Sequence, residues 1–444
     1  MKGHYCHSLT PRISFCPLSP FIPNLDFRSQ FQMESRKLAA LLSSLISQLL
    51  LLLLLIFPPN STHPNSLPNN NSLPLIHHLL LSNQIAATLS AKRKRKRRHN
   101  LFDPDEPGSV LRSPDSFVNC YNMTSSTFEW LAGLLEPLLD CRDPAGLFPI
   151  NLTAGTRLGI GLFRLANGSD YPDISTRFGV PVSVAKFCVK QLCRVLCTNF
   201  RFWVSFPNSN ELELVSKSFE SLSGLPNCCG AIESCRFEVF TDSTSSTRCL
   251  AAQIVVDSSG RILNTVAGFD GYKRNTMILK ASTLYKDIEE GMLLNNSPWI
   301  NENEVKLNQY LIGDKSYPLL PWLMVPFVDD ETFPGSIEES FNKAHEVMHL
   351  PALKTAASLK NWGILRGPIH DEVKMAVAYI GACSILHNSL LMREDFTALA
   401  GAFEDYQLQQ ERYREDSCRF EDDLVSGKAL GTRSTLATMA RKNS

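Results

Sequence analysis

The chain has no excess of charge of either sign: 44 Lys and Arg meet 44 Asp and Glu over 444 residues. A protein-wide basic field is thereby excluded, and any binding of nucleic acid has to come from local patches. The chain also lacks a Cys-x-x-Cys pair. Thirteen cysteines, an odd number without a paired framework, exclude a disulfide-stapled scaffold and read as reduced, mostly buried thiols of a cytosolic or nuclear protein. Cys188, Cys193 and Cys197 crowd together without zinc spacing and read as helix-core residues. Hydrophobic residues, at 44%, suffice for two folded units with tails.

What is present begins with a Pro-, Ser- and Phe-rich leader over residues 1–32, which reads as disordered or as a gene-model extension, since Met33 would serve equally as a start. Leu38 to Phe57 is then twenty uncharged, Leu-rich residues. That length could span a bilayer, or form a hydrophobic helix that docks on a partner. A Pro-, Asn- and Ser-rich linker leads to an unbroken basic run of Lys92, Arg93, Lys94, Arg95, Lys96, Arg97 and Arg98. Seven cations in a row cannot fold on themselves; they suit nuclear import or a phosphate-contacting arm, and stand too far from the Leu-rich segment to orient it in a membrane.

Helical periodicity follows. Ser126-Thr-Phe-Glu129 has capping-box spacing, with Phe128, Leu131, Leu134, Leu135 and Leu138 recurring at helical spacing. Thr153 to Asn167 predicts a second helix, with Leu158, Leu162 and Leu165 inward and Gly168 as its stop. Asp173 to Phe178, Gly179 and Ser183 to Leu196 predict helix, tight turn and longer helix around Ile174, Phe178, Val180, Val184 and Leu192. The longer helix offers Lys186, Lys190, Gln191 and Arg194 as nucleic-acid-binding residues, a thin set for reading bases, so it serves equally as a packing helix.

From Cys228 the period changes to that of strands: Cys228 to Phe240, Leu250 to Val256 and Ile262 to Gly268, with Asp257-Ser-Ser-Gly260 as the last hairpin turn. A helix over Thr276 to Glu290 follows. Tyr310-Leu-Ile-Gly-Asp314 then reads as a short buried strand delivering a carboxylate to its carboxyl end, where active-site acids of α/β sheets gather. Long helices are expected over Ile337 to Leu359 and Val373 to Leu391, then an acidic and aromatic stretch at 402–424 and a polar tail with a short Leu-Ala patch.

The stretch Gly313-Asp-Lys-Ser-Tyr-Pro-Leu-Leu-Pro-Trp-Leu323 resembles the Gly-Asp-Ser-Gly-Tyr-Pro-Leu-Leu-Pro-Trp-Leu element of the PIF/Harbinger transposase superfamily. Plants keep domesticated relatives of it, nuclear proteins named for antagonism of like-heterochromatin protein. The resemblance runs from about Phe117 to Ala440. It implies an α/β, RNase H-like DDE nuclease core preceded by an all-α helix-turn-helix domain. In such a core three acids, from the first strand, the fourth strand and the last helix, hold two Mg²⁺ or Mn²⁺ ions about 3.5–4 Å apart.

The resemblance also exposes damage. Where the family writes Gly-Ala-Ile-Asp-Gly-Thr-His, this chain has Gly230-Ala-Ile-Glu-Ser-Cys-Arg236, so the first catalytic and metal-binding acid becomes Glu233. Asp314 is retained as the second, although Lys315-Ser316 replaces Ser-Gly. The family's His-Asp-Ser after the third strand is Arg274-Asn275-Thr276. Phe341-Asn342, His345 and Leu359-Lys360 fix the register of the last helix, and the third acid falls on Leu353, with Pro351 just before it at a cost of about 3 kcal/mol in a helix. Glu346 lies roughly 10 Å back along the axis, too far to substitute. His345-Glu-Val-Met-His349 matches a zinc motif, with His370 a conceivable third ligand, but His345 is already explained by the family pattern. His387, in a Leu-His-Asn element the family shares, reads as a packing residue.

These readings divide the chain into an N-terminal region (1–90), a basic linker (91–115), a helical domain (116–205), a nuclease-like core (225–395) and a tail (396–444). The resemblance implies a domesticated, metal-depleted nuclease fold acting as a nuclear adaptor, with a Myb- or trihelix-like DNA-binding protein and a chromatin-modifying complex as partners. The alternative is a divalent-metal nuclease using Glu233 and Asp314.

Overall fold

The computed structural model describes residues 114–140, 152–241, 246–295, 298–300, 306–328, 332–399 and 426–443. Three stretches singled out above lie outside them. These are the Leu-rich Leu38 to Phe57, the acidic stretch 402–424, and the nuclear-import run of Lys92, Arg93, Lys94, Arg95, Lys96, Arg97 and Arg98.

Seven helices come first: α1 (Pro114–Tyr121), α2 (Ser125–Leu139), α3 (Ala154–Asn167), α4 (Tyr171–Phe178), α5 (Val182–Thr198), α6 (Phe200–Trp203) and α7 (Ser209–Ser223). Short polar side chains set their starts. Thr153 caps α3, and Gly168 ends it at φ 68°, left-handed backbone that costs glycine nothing. Asp170 caps α4 with Pro172 in its first turn, so this helix starts two residues before the expected Asp173. The cap of α2 is Thr124 and not Ser126, because the Thr124 hydroxyl meets the Thr127 amide. Helix α7 begins in a reciprocal capping box of Asn208 and Glu211, which periodicity alone does not reveal.

Strands β1 (Cys228–Thr241), β2 (Ser246–Val256) and β3 (Ile262–Asp270) form the expected antiparallel meander. The helix expected over Thr276 to Glu290 is two, α8 (Asn275–Lys280) and α9 (Thr283–Glu289), because the Ser282 hydroxyl caps the Tyr285 amide and restarts the chain. A two-stranded pair, β4 (Trp299–Ile300) and β5 (Lys306–Leu307), precedes β6 (Tyr310–Ile312) and β7 (Leu323–Met324). Then come α10 (Ile337–Lys360), α11 (Gly363–Arg366), α12 (Val373–Met392) and α13 (Gly427–Asn443). The main sheet has the order β3-β2-β1-β6-β7, with β6 parallel to β1 and β7 parallel to β6.

Pro351 does not break α10. It removes the donor for the Val347 carbonyl, and Val347 stands on the exposed side of the helix, where water can serve that carbonyl. The expected polar tail is helical: Ala429, Leu436, Ala437 and Ala440 of α13 are buried, and α13 packs along α10. The Leu-Ala patch is its seam.

Both faces of the sheet are covered. One core cluster joins Leu131, Leu158, Leu192 and Phe219 of the early helices to Phe237 and Ile254 of the sheet and Leu386 and Leu436 of the late helices. A smaller one gathers Ile232, Leu284, Leu311, Tyr317 and Trp322 on the other face. Among the described residues, α12 is long and apolar enough to cross a membrane by composition, yet most of it is core.

The C-terminal end of α3 meets α11 backbone to backbone, since a Cβ on Gly363 would stand 2.4 Å from the Asn167 carbonyl carbon. Gly363→Ala is expected to cost about 1–3 kcal/mol through forced separation of these helices. An unchanged denaturation midpoint would show that the approach is looser than this.

Candidate active site

The two candidate acids arrive together through strand register. Ala231 of β1 stands opposite Ile312 of β6 in a parallel pair. Two residues further on, Glu233 and Asp314 reach the same level on neighbouring strands, whose spacing is about 5 Å. Glu233 is 2% exposed, whereas Asp314 is half-buried just past the end of β6. Gly313 is required there, because a Cβ would press into Ile232 Cγ2 at 2.8 Å.

Helix α10 crosses this point with two histidines one turn apart. His345 Nε2 donates to the Gly313 carbonyl at 2.9 Å, and His349 Nε2 to the Ile232 carbonyl at 3.0 Å. Each imidazole therefore holds the carbonyl of the residue directly before an acid. The rings lie nearly parallel, 5.7 Å apart, and His349 Nε2 is also 3.3 Å from Glu233 Oε2. Burial, with His349 beside it, pushes the His345 pKa down to about 3, so it is neutral at ordinary pH.

This geometry agrees with setting aside the zinc match of His345-Glu-x-x-His349. Both Nε2 atoms are occupied by carbonyls, and Glu346 faces solvent. His370 is exposed against the Phe240 ring, 5.3 Å away, while Phe240 is seven residues along β1 from Glu233, roughly 23 Å of strand. Among the described residues no cluster of three or more His, Cys, Asp or Glu could hold a metal ion.

Leu353, where the resemblance places the third acid, is half-buried one turn beyond His349 and packs against the main core. No carboxylate reaches the edge from α10. Two divalent ions need a set of hard oxygen ligands. Here one carboxylate meets an imidazole, the other accepts the Ser316 amide at 3.0 Å and the Ser316 hydroxyl, and the third is a leucine. The residues present do not fit a two-ion site.

A second group at this edge has no signal in the sequence beyond its departure from the family pattern. Arg236 donates from Nε to the Gly271 carbonyl at 2.9 Å, from one terminal nitrogen to the Lys273 carbonyl at 3.2 Å and Asn275 Oδ1 at 2.7 Å, and from the other to the Ser234 hydroxyl. Asn275 Nδ2 then donates to Ser316 Oγ at 2.6 Å. Tyr317 is buried beside these groups, and burial, with Glu233 and Asp314 adding to it, holds its pKa well above the ordinary 10.

Elsewhere, Lys186, Lys190 and Arg194 are exposed one turn apart along α5, with Lys186 Nζ 5.3 Å over the Tyr171 ring. Gln191 does not join them: its amide donates to the Leu139 carbonyl at 3.2 Å. Lys186 borders a cleft of about 520 Å³ whose walls include Arg164, Tyr171, Ile364 and His370. His387 is a buried staple, bonded through Nδ1 to Ser358 Oγ at 2.8 Å and through Nε2 to the Gly260 carbonyl at 2.9 Å.

A mixed sheet with helices around it, and acids at the ends of two adjacent parallel strands under a long helix, fits the core of a DDE-type nuclease. The family described as DDE superfamily endonuclease matches residues 240–388, a span that starts after Glu233 and holds Asp314 and Leu353. These likenesses support a Harbinger-derived DDE nuclease family that includes the plant ALP-like proteins. It is 28% identical over 332 residues to protein ALP1-like of Arabidopsis thaliana, covering 70% of this chain and 79% of that one. It is also 28% identical over 295 residues to Antagonist of Like Heterochromatin Protein 1 of the same plant, covering 63% and 74%. HARBI1 of Homo sapiens is 23% identical over 238 residues, covering 50% and 63%. No solved structure matches the chain. Divalent-metal dependence is general in this family.

Proposed function

We propose that this chain is a domesticated Harbinger-type transposase that keeps the nuclease fold, has lost its metal site and works in the nucleus as an adaptor in a chromatin- or DNA-associated complex. The observation that carries the reading is at α10: Leu353 occupies the third-acid position, and His349, one turn before it, is turned onto Glu233. A carboxylate beside an imidazole, with a leucine where the helix would supply its acid, is a poor ligand set for hard cations.

The strand order β3-β2-β1-β6-β7 supports an RNase H-like core, and α4, Gly179 and α5 support a helix-turn-helix. With only Lys186, Lys190 and Arg194 presented, α5 is better suited to phosphate contacts than to base reading, so sequence choice falls to a Myb- or trihelix-like partner. The name of one Arabidopsis relative refers to a heterochromatin protein, which supports a chromatin-modifying complex as the second partner. Nuclear entry through the basic run Lys92 to Arg98 belongs to the same reading.

The in-register placement of Glu233 and Asp314 favours one alternative, a residual metal nuclease using these two acids. Nicking of supercoiled plasmid by the full chain in Mg²⁺ or Mn²⁺, beside Asp314→Asn, separates them. Equal absence of cleavage is expected. Cleavage by the parent and not by the variant would overturn the adaptor reading.

A further inference from the structure

The poor fit of the strand edge to divalent ions raises the question of what holds two carboxylate-bearing strand ends and the loops around them in place. The hydrogen bonds at this edge run in one direction. The Arg236 guanidinium donates to Asn275 Oδ1 at 2.7 Å, Asn275 Nδ2 donates to Ser316 Oγ at 2.6 Å, and the Ser316 hydroxyl donates to Asp314 Oδ1. The Asn275 amide cannot be reversed, since its NH₂ would then oppose a guanidinium that has no acceptor. A cation thus reaches a carboxylate through two neutral groups polarised the same way, an arrangement in which each bond strengthens the next.

The remaining guanidinium donors tie down Gly271, Lys273 and Ser234, so the same cation also fixes the loop leaving β3. Lys360, at the end of α10, donates to the Arg236 carbonyl at 2.6 Å and lies 4.4 Å over the Phe237 ring, which secures the strand carrying the arginine. Tyr317 is buried among Glu233, Asp314 and Arg236 and senses the charge of all three.

Resting on the reading of a lost metal site, we propose that Arg236 is the resident cation of this edge, taking the place of divalent ions by holding Asp314 through Asn275 and Ser316. The residues of the relay are departures from the family pattern quoted above: Ser234 and Ser316 stand at glycines, Arg236 at a histidine and Asn275 at an aspartate. They are far apart in the chain and meet only in the fold, which makes the edge a rebuilt cluster and not a site that merely lost one ligand. The consequence is that the missing third acid is not the sole barrier to metal. A guanidinium about 10 Å from a divalent ion lowers its affinity on the order of 100-fold at the effective dielectric of such a site.

The test is Mn²⁺ binding by the full chain, followed by calorimetry and by the Mn²⁺ paramagnetic resonance signal, with no cleavage assay involved. Leu353→Glu alone is expected to bind no better than the parent. Leu353→Glu with Arg236→His is expected to bind about 100-fold more tightly than Leu353→Glu. Equal binding by the single and double variants, or failure of both, would overturn the relay while leaving the lost-site reading intact. Tight binding by the unaltered chain would instead overturn the lost-site reading itself. If the histidine variant fails to fold, Asn275→Asp in the Leu353→Glu background cuts the relay with an isosteric change, and the same comparison applies. As a second readout, the melting temperature of the parent should be the same in EDTA and in Mg²⁺, while Asn275→Ala should lower it equally in both. A parent that gains stability from Mg²⁺ would contradict a resident cation.

Discussion

Asp371→Ala is expected to destabilise the chain by about 3–5 kcal/mol, the cost of leaving a buried cation without its partner. Arg164, 3% exposed on α3, places a terminal nitrogen 2.9 Å from Asp371 Oδ2. Tyr379 of α12 donates to the same oxygen at 2.7 Å, and the Tyr171 hydroxyl stands 3.4 Å from it. One carboxylate therefore satisfies a guanidinium and two phenols contributed by three helices. Removing it leaves the buried guanidinium with only the Gly168 and Ser169 carbonyls and the two phenols with only each other, whereas removing the charges together is far milder: Arg164→Met with Asp371→Leu should recover more than half of the loss. Urea unfolding of the two variants beside the parent measures this. A cost below about 1 kcal/mol for Asp371→Ala would mean the pair behaves like a surface ion pair.

Acid should weaken the fold as the pH falls below 6.5. Burial pushes the His345 pKa down to about 3 and that of His387 to about 4, against 6.5 for an exposed imidazole. The folded state thus refuses two protons that the unfolded chain accepts below pH 6.5. Stability is full above that pH and falls as pH drops towards 4, by about 1.4 kcal/mol per pH unit for each histidine. By pH 5 the loss should be about 4 kcal/mol. Denaturation midpoints at pH 7.5 and pH 5 test this, and a variant with both histidines changed to Gln should show a flatter profile. Equal midpoints for the parent at the two values would mean that the imidazoles are protonated inside the fold.

Much of the frame was legible because its signals are local. Thr153 and Gly168 bound α3, Gly179 marks the turn before α5, and Asp257 to Gly260 turns β2 into β3; each follows from neighbouring residues alone. What escaped depends on partners distant in sequence. Leu323 and Met324 become a strand only because Leu311 and Ile312 lie beside them, and Pro321 and Pro326 conceal the pattern. Helix α13 has a polar composition and forms because α10 offers it a seam. The break between α8 and α9 turned on a single serine hydroxyl.

The site divides along the same line. Glu233, Asp314 and Leu353 were singled out by position within motifs, and register brings the two acids to one level. The roles of His345, His349 and Arg236 were hidden, since a ring aimed at a carbonyl more than thirty residues away leaves no trace in spacing. The zinc motif was set aside on the family pattern alone, since by itself it reports two imidazoles on one helix face and says nothing of what that face meets.

The interior running unbroken from Leu131 through Phe237 to Leu436 also bears on how such a chain changes over generations. Its helical and sheet portions cannot be traded as cassettes, because each supplies the other's apolar wall. On the proposed reading, in which cleavage is no longer selected, Glu233 and Leu353 are free to drift, but Leu158, Phe219 and Leu386 are not. A lineage that abandons the chemistry is thus obliged to inherit the shape, and new partners must be met with surface residues alone.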